Sequence, residues 1–188
     1  MNTKTVERSI LRYTNRERRR QGLEPLKGHR ALIKAARGHS RWMARHDNFS
    51  HTGCEGSQPW DRSQKAGYPS TGVSENIWQA SGNNGPAWKS NFFWRSSRRL
   101  GQAAVISWMN SPGHRANLLD PRWKVIGIGV ARNKKGNIYL TQNFGDADDT
   151  DFLIGKIVAL ITMAFVALMV VLIIISLIEE AKDRRFGS

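Results

Sequence analysis

Twenty-two consecutive residues without a charged side chain, positions 157–178, constrain this chain more than any other feature of its sequence. They are Ile, Val, Leu, Ala, Met and Phe, interrupted only by Thr162 and Ser176. As an α-helix the run spans about 33 Å at 1.5 Å per residue, enough to cross a hydrocarbon core of about 30 Å. Soluble helices that are apolar on every side are usually shorter. The run therefore reads as a transmembrane helix, with a buried core helix as the alternative. It divides the chain into a soluble domain (1–145), an acidic linker (146–156), the span (157–178) and a charged tail (179–188).

This division changes the meaning of the charge. The chain carries +14 overall, but residues 1–145 hold +17 and residues 146–188 hold −3. A basic domain tethered beside a bilayer fits docking on anionic lipid headgroups, with ordinary solubility charge as the plain alternative. Nucleic acid is not expected, since no recognised reader motif is present. Apolar residues make up 40% of the chain, too many for disorder. The single cysteine, Cys54, excludes an intrachain disulfide framework. Residues 1–20 hold no apolar run of seven or more, so no signal peptide is expected. Sidedness is left open by two opposed cues. A C-terminal span without a signal peptide resembles a tail anchor, which keeps the domain in the cytosol. Lys182, Arg184 and Arg185 beyond the span, against Lys156 alone before it, favour the tail inside and the domain exported.

Apolar periodicity predicts a helix over 4–20, with Val6, Ile10, Tyr13 and Thr14 on one face and Gly22 as its stop. Its run Arg16, Arg18, Arg19, Arg20 reads as a solvated helix end rather than a nucleic-acid patch. A second helix over 30–46 places Leu32, Ala35, Ala36, His39 and Met43 on one face, where His39 reads as a hydrogen-bonded core histidine rather than a ligand. Ser57-Gln58-Pro59 opens a third helix with Ser57 as N-cap, closed by Gly67. A fourth covers 102–110 and stops at Ser111-Pro112-Gly113. Alternation at Ile126, Ile128, Val130 and at Ile138, Leu140, Gln142, Phe144, about a turn-rich stretch, predicts an antiparallel hairpin. A further strand runs through Glu75-Asn76-Ile77-Trp78, and residues 81–101 read as irregular.

No Gly-x-Ser-x-Gly, phosphate loop, Cys-x-x-Cys or His-Glu-x-x-His occurs. Cys54, three residues from His51, reads as incidental rather than as a nucleophile beside its base. Three other segments stand out: Phe49-Ser50-His51, Val73-Ser74-Glu75-Asn76-Ile77 and Ser111-Pro112-Gly113-His114-Arg115. Each follows a predicted helix where the chain changes direction. Two imidazoles and a carboxylate form a donor set suited to zinc with an open position for water. Their separations of 24 and 39 residues match no local metal motif.

These segments also carry a resemblance. Thr14-Asn15-x-x-Arg18-x-x-x-Gly22-Leu23-x-Pro25-Leu26 is similar to the opening motif of the CAP superfamily (cysteine-rich secretory proteins, antigen 5, pathogenesis-related 1; the SCP domain). The match continues through Ala36-x-x-His39-Ser40-x-x-Met43-Ala44, Phe49-Ser50-His51, Ala66-Gly67-Tyr68 and Glu75-Asn76-Ile77. It then takes in the highly specific block Trp108-Met109-Asn110-Ser111-Pro112-Gly113-His114-Arg115-x-Asn117-Leu118-Leu119, followed by Ile126-Gly127-Ile128-Gly129-Val130 and Tyr139-x-Thr141-Gln142-Asn143-Phe144-Gly145. It covers about residues 6–145 and looks like the prokaryotic branch, which lacks the animal disulfides.

The resemblance implies an α+β fold, an α-β-α sandwich around a central antiparallel sheet, with a large cleft. It implies that His51, Glu75 and His114 stand at three of the four positions that in the family can bind zinc. The family's second glutamate lies in a Trp-x-x-Glu pattern; here Trp108-x-x-Ser111 puts Ser111 there. Thr14 replaces the histidine usually paired with the opening Asn. The expected function is a membrane-anchored ligand-binding module for a lipid or cell-envelope component, using a cleft with His51, Glu75, His114 and Ser111, with the aromatic segment Phe92-Phe93-Trp94 as apolar help and core packing as that segment's plain alternative. The alternative is a zinc-dependent hydrolase in which His51 and His114 ligate Zn2+ and Glu75 ligates it or serves as general base.

Overall fold

The computed structural model describes residues 1–81, 96–147 and 149–186, the side chains of 149–152 and 179–186 excepted. The segment Phe92-Phe93-Trp94 lies outside the described residues. The chain divides into two compact units, Met1–Asp148 and Asp149–Ser188.

In the first unit, strands β1 (Lys27–Gly28), β2 (Val73–Ala80), β3 (Val125–Arg132) and β4 (Ile138–Gly145) form one sheet in the order β1-β3-β4-β2. The β3–β4 hairpin and the β4–β2 pair are antiparallel, as expected, and the two-residue β1 adds a parallel edge. The helices are α1 (Thr3–Arg20), α2 (Arg30–His46), α3 (Pro59–Lys65), α4 (Ser97–Met109) and α5 (Pro112–Leu119).

Strand alternation explains the layers. Ile126, Ile128 and Val130 of β3 point to one face, where they join Val6 and Ile10 of α1 and Leu100, Val105 and Trp108 of α4 in the main core. The intervening Gly127 and Gly129 point the other way, toward α2. A Cβ at Gly127 would stand 2.1 Å from the Leu32 carbonyl carbon, and one at Gly129 would stand 2.2 Å from the Ala36 oxygen. Only glycine lets α2 lie with its backbone against the sheet. The result is helix, sheet, helix: the mixed α-β-α sandwich that the resemblance implies.

Four local expectations need correction. α4 begins at Ser97 rather than 102, because Leu100 is buried and the Ser9 hydroxyl donates to the Arg98 carbonyl at 2.7 Å. α4 does stop where expected, after Met109, but Ser111-Pro112 also starts a further helix, α5, that was not expected, since proline in the first turn lacks only an N–H that has no partner there. α3 is capped by Gln58, not Ser57: the Asp61 carboxylate accepts from the Gln58 N–H at 2.9 Å. Finally, Arg18 is not part of a solvated helix end. It is 1% exposed, and its guanidinium donates to the carbonyls of Glu24, Leu118, Asp120 and Trp123.

The second unit holds α6 (Asp149–Phe186), which includes residues on both sides of the uncharged run. Its stretch Leu153–Ile178 is long and apolar enough to cross a membrane, and its side chains are exposed on every side.

Candidate functional site

The site grows from the outer strand β2. Successive side chains on a strand alternate faces, so Glu75, opposite Asn143, and Asn76, opposite Gln142, point to different layers. Asn76 donates to the His114 carbonyl at 3.1 Å and accepts from the Asn117 amide at 2.9 Å. Asn117 also donates to the Glu75 carbonyl at 3.4 Å. α5 is thus fastened along β2 and covers an edge that would otherwise present unpaired backbone groups.

Glu75 is the buried centre, with a side chain 1% exposed. Its Oε1 accepts from His51 Nδ1 at 2.9 Å, and its Oε2 accepts from Arg62 Nη2 at 2.9 Å. Arg62 comes from α3 and also donates to the Ser57 carbonyl. In its neutral form, with the Nδ1 proton directed at Glu75, the His51 ring leaves a lone pair on Nε2. The His51 side chain is half exposed. His114 lies on α5, with Nδ1 2.7 Å from the Ser111 hydroxyl. Burial holds its protonation below the usual imidazole range, and a proton on nearby His51, when present, acts in the same direction.

The four residues expected from the sequence therefore form two pairs, His51–Glu75 and Ser111–His114. Sequence reasoning missed Arg62, the cation without which Glu75 would be a buried lone charge. Its spacing from Glu75 carries no signal; the need for a basic partner follows only once the fold buries the carboxylate. His39 is the hydrogen-bonded core histidine expected: fully buried, it donates through Nε2 to the Ser50 carbonyl at 2.9 Å and stacks on Trp42. It also stands 3.9 Å from Glu75 Oε1. Thr14 is buried and accepts from Gln142 Nε2 at 2.8 Å, so it serves the core. Cys54 is exposed and helps line a cavity of about 530 Å³ with His39, Trp42, Ser57 and Arg62.

His39 carries a pH prediction. Burial lowers its pKa, an effect only partly offset by Glu75. The folded imidazole therefore binds a proton less readily than the unfolded one. As pH falls below about 6.5, unfolded chains take up the proton first, and stability drops by up to about 1.4 kcal/mol per pH unit. Chemical denaturation between about pH 7 and about pH 5 should show this loss, and His39→Gln should flatten it. An unchanged slope in the variant would refute the assignment.

The zinc reading can be tested against the donors. Both Glu75 oxygens are committed, one to His51 and one to the Arg62 cation. Among the described residues no group of three His, Cys, Asp or Glu side chains is placed to hold a metal ion. As arranged, the residues do not fit a three-ligand zinc site; they offer two imidazoles.

The sandwich, with paired His and Glu at the β2 edge, defines a CAP-type domain. The model of the cysteine-rich secretory protein family matches residues 11–144, and the chain belongs to that family. It is 32% identical over 139 residues to the uncharacterized protein YkwD of Bacillus subtilis, covering 74% of this chain and 47% of that protein. It is also 32% identical over 140 residues to the uncharacterized membrane protein YlbC of the same organism, covering 74% of this chain and 34% of the relative. Among solved structures, an extracellular protein containing an SCP domain from Bacillus anthracis aligns with a TM-score of 0.62 at 28% identity, over 77% of this chain and 41% of that one. The chain thus spans less than half the length of these relatives.

Proposed function

We propose that this is a membrane-anchored CAP-domain protein whose His51 site binds the polar part of a lipid or cell-envelope component. The observation that carries the reading is the half-exposed His51 ring, fixed through Nδ1 to a fully buried Glu75 that Arg62 braces from behind. Such a ring presents Nε2 in one orientation and loses little freedom on binding. Ser111 and His114 add a second polar pair. Apolar contact is available as well. Among the described residues of the first unit, the exposed large hydrophobic ones are Met1, Phe49, Trp60 and Ile106. Phe49 and Trp60 lie on the two segments that carry His51 and Arg62, which suits an amphiphilic ligand. Anchoring is supported by the apolar stretch of α6 and by a relative that is itself called a membrane protein.

Native mass spectrometry of the full chain, purified from membranes in mild detergent, tests the reading. The wild type is expected to retain a lipid or envelope adduct, and His51→Ala to lose most of it. Equal retention in both would overturn the proposal.

A second reading, zinc-dependent hydrolysis, draws on the two imidazoles, with Glu75 behind His51 in the manner of an outer-shell carboxylate. Metal analysis decides it. Stoichiometric zinc in the wild type, lost in His51→Ala/His114→Ala, would favour this reading; equal content in both would end it.

A further inference from the structure

Helix α2 carries Arg30, Lys34, Arg37, Arg41 and Arg45 and no acidic residue. Their spacings of four and three put all five on one helical face, opposite the buried Leu32, Ala35, Ala36 and Met43. The row is about 22 Å long at 1.5 Å per residue. Arg37 is ion-paired with Glu7, and the other four are exposed. Like charges one turn apart oppose helix formation. Nothing in the helix itself relieves them.

The row ends in a built pocket. Asp47 caps α2 in the left-handed region, with φ 51°. Its carboxylate accepts from Asn133 Nδ2 at 2.8 Å, from Lys135 Nζ at 2.7 Å and from the Tyr139 hydroxyl. These donors, Lys135 first, lower the Asp47 carboxyl to about 2. The clamp holds the β3–β4 turn against the end of α2. Arg41 and Arg45 of the helix and Arg132, Lys134 and Lys135 of the hairpin then surround a cavity of about 500 Å³, in which Asp47 is the acidic lining residue. Among the described residues, Arg41, Arg45 and Lys134 make no hydrogen bond or ion pair.

We propose that this face docks on anionic phospholipid headgroups, with Arg41, Arg45, Arg132 and Lys134 taking phosphate oxygens and the α2 row extending the contact along the surface. An extended row of cations suits a sheet of phosphates better than one small anion. The occupant follows from the chain: only residues 146–152 separate β4 from the apolar stretch of α6. That tether leaves β4 at Gly145, the end opposite the 133–137 turn, so it acts by holding a bilayer at high effective concentration, and the charge complementarity of the cationic row selects anionic headgroups. The inference rests on the reading of α6 as a membrane span.

The test uses the full chain in nanodiscs of phosphatidylcholine alone or mixed with phosphatidylglycerol, with hydrogen exchange followed over residues 41–47 and 131–137. Exchange is expected to be roughly fivefold slower in the anionic discs, a difference erased by high salt. The exposed pair Arg45→Ala/Lys134→Ala should abolish the difference, while Arg12→Ala on α1 should leave it. Equal exchange in both discs would overturn the inference. So would equal slowing in neutral discs by inorganic phosphate or by duplex DNA, which would assign the face to another anion. A chain that fails to enter discs at all would instead remove the membrane reading of α6.

Discussion

Replacing Arg62 by methionine is expected to destabilise the domain by about 3–5 kcal/mol, because it leaves the Glu75 carboxylate buried without its cation. For a domain of this size that corresponds to a fall in Tm of roughly 6–20 °C. All seven tryptophans lie before residue 146, so tryptophan fluorescence of the full chain in detergent reports on this domain alone. The double variant Arg62→Met/Glu75→Gln should recover much of the loss, since it removes the charge that methionine stranded. A rescue of that kind separates electrostatics from packing. If Arg62→Met alone costs under about 1 kcal/mol, the buried pair is not holding the site together. The same variant should weaken adduct retention, because His51 would then lean on a carboxylate free to protonate or rotate.

Gly127→Val should be more damaging still, costing over about 3 kcal/mol or preventing folding. The new Cβ would meet backbone atoms only: the Leu32 carbon at 2.1 Å, its oxygen at 2.3 Å and the Ile33 nitrogen at 2.4 Å. No rotamer change relieves such a contact. α2 must lift off the sheet, and with it Met43, Ala44 and the Ser40–Thr141 hydrogen bond. Gly38→Ala, in the same helix but with nothing within 4 Å of its Cβ position, should instead stabilise by about 0.5–1 kcal/mol, the ordinary helix-propensity gain. Urea denaturation of both variants checks the pair. Equal effects would mean that α2 does not rest on the glycine face.

Much of this architecture was legible in the sequence, for identifiable reasons. α2 and the β3–β4 hairpin have strong periodicity and turn chemistry, and both fall where expected. The pairs His51–Glu75 and Ser111–His114 lie on segments picked out by residue type and by family resemblance. What was not legible depends on partners far away in the chain. The first turn of α4 has Arg98 and Arg99 where the helix dipole disfavours cations, and only packing of Leu100 and Ser9 overrides that. Arg18 looked like one of several surface arginines, yet three of its four acceptors lie about a hundred residues on. Arg62 was unremarked because its partner is set by tertiary contact rather than by spacing.

The strand order β1-β3-β4-β2 has a bearing on how the chain is made. Among the described residues β2, which carries Glu75, joins the sheet through β4, and β4 is the last of these strands to leave the ribosome. The first two thirds of the domain must wait, with β2 unpaired and Arg18 without its distant carbonyls, until residue 145 has been synthesised. Such non-local closure is slow. The apolar stretch begins at Leu153, only eight residues later. Closure of the sheet and emergence of the apolar stretch therefore fall in the same brief interval of translation. A delay in either leaves an open strand edge and a greasy helix exposed together, which makes the timing of synthesis, rather than final stability, the vulnerable point of this protein.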